Sequence, residues 1–405
     1  MSSAVPEGWS IRSLEGKVDI LSGFPFKSAQ FTDDKSKIGL IRIRDLVKQR
    51  LETFYKGDFD DLYVVTKDDI LIGMDGDFNI VKWKSKEALL NQRICKVKAV
   101  DGKGFDTDFL FHSLEPELQD IHATTGATTV KHLSVKDIRG IQKAYPPLPE
   151  QQKIATILSS VDDVITKTTA QIDKLKDLKT GMMQELLTKG IGHTEFRDSP
   201  VGRIPVGWDV KGMYDACDEI FLGLTAKVDY TDSNGVYLVR ATDISGGALS
   251  FDKARQITHK QHQSLTKYRK AKRGDVLISK SGSLGVCAFV ETDTEFSIYE
   301  SIIVLQPKKG ICDSKYLLWL MRSCETQTRL LGGTVGSTVG HLNLGDFRKL
   351  KIPIPPLNEQ IKCGHVLDAL DNKHLSAQTK LDSVTSLKKA LMQDLLTGKV
   401  RVSVN

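Results

Sequence analysis

Asp75 and Asp77, in the stretch GMDGDFN, place two carboxylates one residue apart, a pairing that can hold a divalent cation. A related stretch, SKSGSLG, puts Ser281 and Ser283 at the matching places. A serine pair cannot do the work of an acid pair, so a shared metal or catalytic role fails. Both stretches follow a strand-like run and carry small polar side chains, Asn79 among them, with backbone amides able to bond phosphates or base edges. A second loop pair has the same character. ATTGATTVKHLS offers Thr124, Thr125, Thr128 and Thr129, and GGTVGSTVGHLN offers Thr334, Ser337 and Thr338. Lys131, Lys280, Arg44 and Arg240 are their basic neighbours. Each loop is equally a turn that needs glycine, and each arginine can equally pair with Asp45 or Asp243.

Other chemistry is missing. Nine histidines include no HExxH and no close pairing with cysteine. There is no GxxxxGKS/T phosphate loop and no Rossmann glycine fingerprint. YPPL, at Tyr145, shares its prolines with the Asn-Pro-Pro-aromatic motif of amino-methyltransferases but lacks the asparagine. No catalytic constellation remains, and none is expected in this chain.

The elements that would position the loops are suggested by size and pattern. A chain of 405 residues exceeds one ordinary core and implies two or more domains. With 40% hydrophobic and 27% charged residues it should fold and be soluble. The longest apolar runs, such as SIIVLQP near Ile302, are too short to span a bilayer, and MSSAVPEGWS lacks the pattern of a signal peptide. Six scattered cysteines without a CxxC pair favour reduced thiols in a cytoplasm. The net charge of +6 permits a polyanionic partner without demanding one.

The dominant feature is internal repetition. His132-Leu133 and His341-Leu342 stand 209 residues apart, and the same offset joins Glu150-Gln151 to Glu359-Gln360 and MQELLT to MQDLLT. Earlier matches (PEGW with PVGW, LIRIRDL with LVRATDI, DDILIGMDGD with GDVLISKSGS) drift in register, as loop insertions would make them. Each copy therefore has a variable head and a rigidly matched tail.

The tails read as long helices. Ile154, Leu158, Val161, Ile165, Thr168, Ile172, Leu175, Leu178, Met182 and Leu186 recur at steps of three and four, mostly alternating, as do Cys363, Leu367, Leu370, His374, Ala377, Leu381, Val384, Leu387, Leu391 and Leu395 in the second copy. Pro149 suits a first turn, Asn358 suits an N-cap, and Gly190 and Gly398 suit the stops. Such a helix spans roughly 60 Å and would overhang a globular repeat of about 15 Å radius of gyration. An antiparallel two-helix coiled coil within the chain is therefore favoured over a helix lying on its own domain. The heads mix strand-like runs (KIGLIRIRDL, DDILIG, NQRICKVKAV; GVYLVRATDI, DVLISK, SIIVLQP) with helical ones (TDFLFHSL, SKYLLWLM). The expected fold is α+β with antiparallel or mixed sheets. The expected division is 1–147 and 191–356 as globular repeats, with 148–190 and 357–405 as spacer helices.

SGFPFKSAQF, GLIRIRDL, DILIGMDGDFNIVKWKSKEALLNQR, the junctions PPLPEQQKIA and PPLNEQIKCG, and the two LLT helix ends occur here in duplicated order. In this the chain resembles the DNA specificity subunits of type I restriction-modification enzymes, over essentially its whole length. The resemblance implies two target recognition domains, each reading half of a split sequence in double-stranded DNA. It implies spacer helices that set the gap and dock two methyltransferase subunits, with restriction and translocase subunits joining for cleavage. S-adenosylmethionine, ATP and Mg would then belong to those partners, with no cofactor in this chain. The second copy lacks the GFPFKS and NQR signatures, so the two heads should read unlike half-sites. The rival readings are a bipartite system whose methylation and cleavage share one partner chain, and a protein-binding scaffold with no DNA role.

Overall fold

The computed structural model describes residues 5–126, 131–223, 227–331 and 344–403. The chain divides into two compact units, Met1–Thr169 with Thr379–Asn405 (unit 1) and Ala170–Gln378 (unit 2). Each unit holds one globular repeat, the start of the helix that leaves it, and the end of the other long helix. Both are α+β.

Unit 1 is built on an antiparallel sheet with spatial order Val18–Ser22, Ile94–Ala99, Ile70–Gly73, Ile80–Lys82. Alternation along its strands sends Ile72, Cys95 and Val97 into one core with Phe109, Leu110 and Leu158. It sends Leu71 and Ile94 into another with Leu46 and Trp83. The sheet is thus buried on both faces, which is why its strands read as nearly unbroken apolar runs. A second, mixed sheet has the order Phe31–Thr32, Phe54–Tyr55, Ile38–Ile41, Ala88–Leu90, Val64–Val65, with Ile38–Ile41 parallel to Ala88–Leu90.

Unit 2 repeats this plan. Cys217–Leu222, Ile302–Pro307, Val276–Ser279 and Cys287–Phe289 form the first sheet, and Tyr230–Thr231, Arg255–Ile257, Val236–Val239 and Phe296–Ile298 the second. Again one pair, Val236–Val239 with Phe296–Ile298, is parallel. The strand-like reading fails at RIRDL and RATDI. Chain after Ile41 turns into the helix Ile43–Lys48, and chain after Val239 into the 3-10 turn Ala241–Ile244. Asp45 and Asp243 each accept the N–H three residues back, at 2.9 and 2.8 Å, and so start a helical turn where a strand would otherwise continue.

The long helices run Leu148–Thr188 and Leu357–Leu396. They begin directly behind the double prolines, so Asn358 lies inside the first turn and is no cap; the carbonyls of Pro147 and Pro356 receive the first helical N–H groups instead. Leu178 and Leu387, expected in the seam, are about half exposed (50% and 51%). Leu158, Leu186, Leu367 and Leu395 are buried, and Val161, Ile165, Ile172, Leu175, Leu370, Leu381, Val384 and Leu391 are partly covered. Within unit 1, Asp162 of the first helix pairs with Lys388 of the second at 2.9 Å, while Leu158 shares a core with Leu395. Within unit 2, Lys179 pairs with Asp371 at 2.9 Å, and Leu186 lies with Cys363 and Leu367. In each unit, rising numbers on one helix meet falling numbers on the other, so the helices are antiparallel.

His112 gives unit 1 a pH sensitivity. Its ring is fully buried, with Nε2 3.1 Å from the Ser159 hydroxyl. Burial pushes its pKa down from 6.5 to about 4, against the opposing pull of Asp162. The unfolded chain takes up this proton below about pH 6.5 and the folded chain resists until about 4, so stability falls as pH drops through that window, by about 3 kcal/mol in the limit. Urea midpoints from pH 7 to 4.5 should show this slope, and His112→Gln should flatten it.

Candidate nucleic-acid interface

The two loop regions singled out in the first repeat meet in space. Asp75 and His132 form an isolated antiparallel bridge, and the Gly76 N–H donates to the Lys131 carbonyl at 3.1 Å. The Asp75 carboxylate receives His132 Nδ1 at 2.7 Å and forms an ion pair with Arg93. Partial burial opposes ionisation of Asp75, but the hydrogen bonds from His132 and Arg93 outweigh it and hold the carboxyl below the usual carboxylate range. Asp75 is thus a structural clamp between loops, while Asp77 is exposed. Among the described residues no group of three or more ligating side chains could hold a metal.

Other residues of these loops are spent locally. Thr124 and Thr125 end the helix Thr107–Thr124, with their hydroxyls donating to carbonyls of its last turns at 3.0 and 2.7 Å. The Lys131 ammonium caps the same helix end at the His122 carbonyl. Asn79 contributes its carbonyl to Gly73. Arg44 sits on a short helix, not on a strand, 3.5 Å from Glu52 and 3.8 Å from Asp45. Thr128, Thr129, Thr334, Ser337 and Thr338 lie outside the described residues.

In unit 2, Lys280 is half-buried and its backbone N–H donates to Ser301 at 2.8 Å. Ser281 is half-buried, Ser283 is exposed, and the Ser283 carbonyl accepts the Ser279 hydroxyl. Arg240 lies 3.8 Å from Asp243.

Residues quoted for the resemblance, of which only Arg44 was a site candidate, prove to converge. An open cavity of about 650 Å³ in unit 1 is lined by Phe26 and Ser28 of GFPFKS, Arg42 and Arg44 of LIRIRDL, and Asn91, Gln92 and Arg93 of the NQR stretch. Three segments far apart in sequence form one wall: Phe24 bridges Asn91 in parallel, the Gln92 N–H donates to the Phe24 carbonyl at 3.1 Å, and Ile41 pairs in parallel with Leu90, which sets Arg42 beside Asn91. The close approach depends on Gly23, where a Cβ would stand 2.1 Å from the Asn91 carbonyl oxygen. Gly223 meets Ile298 at the same 2.1 Å, so the second repeat, for all its lost signature, keeps this one glycine. Gly23→Ala should therefore cost about 1–3 kcal/mol in denaturant titrations by forcing the strands apart.

The junctions are also duplicated atom for atom. In unit 1 buried Gln151 accepts the Asp106 N–H at 3.0 Å and donates to the carbonyls of Gly104 and Pro146. In unit 2 Gln360 accepts the Asp313 N–H at 2.8 Å and donates to Ile311 and Pro355. The indole N–H groups of Trp9 and Trp208 donate to Glu150 and Glu359, each at 3.2 Å. A basic side chain from beyond the other helix's end completes each carboxylate cluster: Arg401, at 2.7 and 2.8 Å from Glu150, in unit 1, and His193, at 2.9 Å from Glu359, in unit 2.

Comparison with known proteins agrees with this duplication. Residues 6–177 and 205–386 each match the type I restriction modification DNA specificity domain. The type I restriction enzyme EcoBI specificity subunit of Escherichia coli is 27% identical, over 98% of this chain and 87% of its own. The MjaVIII specificity subunit of Methanocaldococcus jannaschii is 26% identical, over 98% and 94%. The crystal structure of the S subunit of a type I restriction-modification system from M. genitalium superimposes with a TM-score of 0.65 at 14% identity, over 98% of this chain and 97% of that one, a likeness of fold. With the matched domain covering most of its length twice over, the chain belongs to the family of type I restriction-modification DNA specificity proteins.

Proposed function

We propose that this chain is the subunit that reads DNA sequence in a type I restriction-modification assembly, each unit reading one half of a bipartite target. The observation that carries the reading is the repetition of one frame with two different loop chemistries. Strand order, junction hydrogen bonds and the interhelical Asp–Lys pairs recur in both units, while Arg93 of one repeat stands where the other has Ser301. A common frame with divergent tips suits a protein that reads two unlike half-sites. Lys and Arg side chains supply phosphate contacts and register, and a few polar side chains at the tips discriminate bases.

The spacer helices fix the gap between half-sites and dock two methyltransferase subunits, and restriction and translocase subunits join for cleavage. Adenine methylation with S-adenosylmethionine, and translocation and cleavage with ATP and Mg, belong to those partners; this chain is non-catalytic and works in the cytoplasm. Mapping methylated adenines in a host that carries this chain with its methyltransferase partner tests the reading. A single bipartite sequence with a fixed gap is expected. Continuous motifs, or methylation unaffected by deleting this chain, would sink it.

A further inference from the structure

The cavity of unit 1 gathers arginine and amide side chains on an aromatic floor, and we infer that it is where this unit reads a purine through its major-groove edge. The inference rests on the DNA-reading function proposed above and names the residues that discriminate.

Three observations converge on it. First, the cavity holds the side chains that suit purine edges: arginine matches O6 and N7 of guanine, and asparagine or glutamine matches N6 and N7 of adenine. Arg42, Asn91, Gln92 and Arg93 all line it. Secondly, these side chains remain open to an incoming ligand. Arg42 and Gln92 are exposed and Asn91 is half-buried. The neighbouring polar groups are engaged: Asp45 closes the turn at Arg42, Arg44 faces Glu52, and Asp75 holds Arg93 while leaving 59% of that side chain open. Thirdly, the mounting is rigid. The Asn91–Arg93 stretch is stitched to Phe24 on one side, and the Arg93 carbonyl accepts the Met74 N–H at 2.9 Å on the other. A reader held this way pays little ordering entropy on binding.

The same station in unit 2 has been rebuilt. The Lys280 N–H bonds the Ser301 carbonyl as Met74 bonds Arg93. The cation thus sits on Lys280 in unit 2, where unit 1 has buried Met74, and Arg93 of unit 1 is replaced by Ser301. The Ser301 hydroxyl is itself used, accepting the Ala241 N–H at 3.0 Å. A lysine lacks the planar fork of arginine, so the two units present different hydrogen-bonding codes from one shared backbone frame, the cation having moved to the partner strand.

The test uses the full chain assembled with its methyltransferase partner, and reads the methylated sequence genome-wide. Gln92→Ala and Asn91→Ala should relax one or two positions of a single half-site, lowering discrimination there by 10-fold or more, with the gap and the other half-site intact. Arg42→Lys keeps the charge and should relax the same half-site. If wild type yields no bipartite sequence, the underlying function fails. If wild type is bipartite and the variants leave both half-sites unchanged, the assignment is overturned. A uniform loss of binding with a shallower salt slope and unchanged sequence would also overturn it, by making the cavity a phosphate clamp. Gln92 is exposed, so its alanine variant should fold, and assembly with the partner checks this.

Discussion

Gln360→Ala is expected to destabilise unit 2 by about 3–4 kcal/mol, and Gln151→Ala to cost unit 1 measurably less. Both amides are fully buried and each makes three hydrogen bonds that join the globular repeat to the start of its helix. Truncation strands the N–H of half-buried Asp313 or Asp106 and leaves a cavity. The difference lies in what remains. In unit 1 the Arg12 guanidinium also donates to the carbonyls of Gly104 and Pro146, at 3.0 and 2.7 Å, and keeps both partnered after the amide is gone. In unit 2 the matching position is Lys211, whose ammonium faces Asp209 instead, and no second donor to Ile311 or Pro355 is seen among the described residues. Urea titrations of the two variants should rank them in this order. Equal losses would mean that the arginine gives no cover.

A four-residue insertion beside Thr169, matched by one beside Gln378, is expected to lengthen the gap of the methylated bipartite site by about one to two base pairs. Four residues add about 6 Å and close to one turn of helix, so the faces stay nearly in phase. Duplex DNA rises about 3.4 Å per base pair. Both insertions fall where the two units meet in the sequence, so the Asp162–Lys388 and Lys179–Asp371 pairs, each internal to one unit, survive. An insertion at Thr188–Lys189 would be a poor choice. Leu186 and Leu187 are buried there, and Gly190 (φ +70°) fits so tightly that a Cβ would stand 2.2 Å from Glu359 and 2.6 Å from Trp208. Methylome mapping should return the old half-sites at the new spacing. An unchanged gap would remove the helices from the spacer role.

The duplication and the helices were legible because both copies bury the same surface in the same way, and that surface tolerates no change of register. Glu150 and Gln151 looked like ordinary first-turn residues. Their role depends on Asp106 and Arg401, which no local pattern brings near them. The cavity was hidden for a similar reason. GFPFKS, RIR and NQR are separate words in the sequence, and only two parallel pairings, Phe24 with Asn91 and Ile41 with Leu90, make them neighbours. Asp75 drew attention as an acid, yet its meaning lay in the His132 and Arg93 that it ties together across two loops. Leu178 and Leu387 were misjudged because a heptad pattern gives spacing but not which side of a helix a neighbour occupies.

The clasp at Arg401 has a consequence for biosynthesis. Its guanidinium grips Glu150 and the Glu7 carbonyl, and Gly398 packs against Pro6 and Trp9. Unit 1 is thus assembled from two segments, one made before unit 2 and one after it, whereas unit 2 is one uninterrupted stretch. The second repeat can complete its fold while the first still waits, with Trp9 and Leu158 uncovered, for its closing strap. The segment of unit 2 is therefore complete before that of unit 1, and a message cut short before Arg401 leaves unit 1 without its clasp.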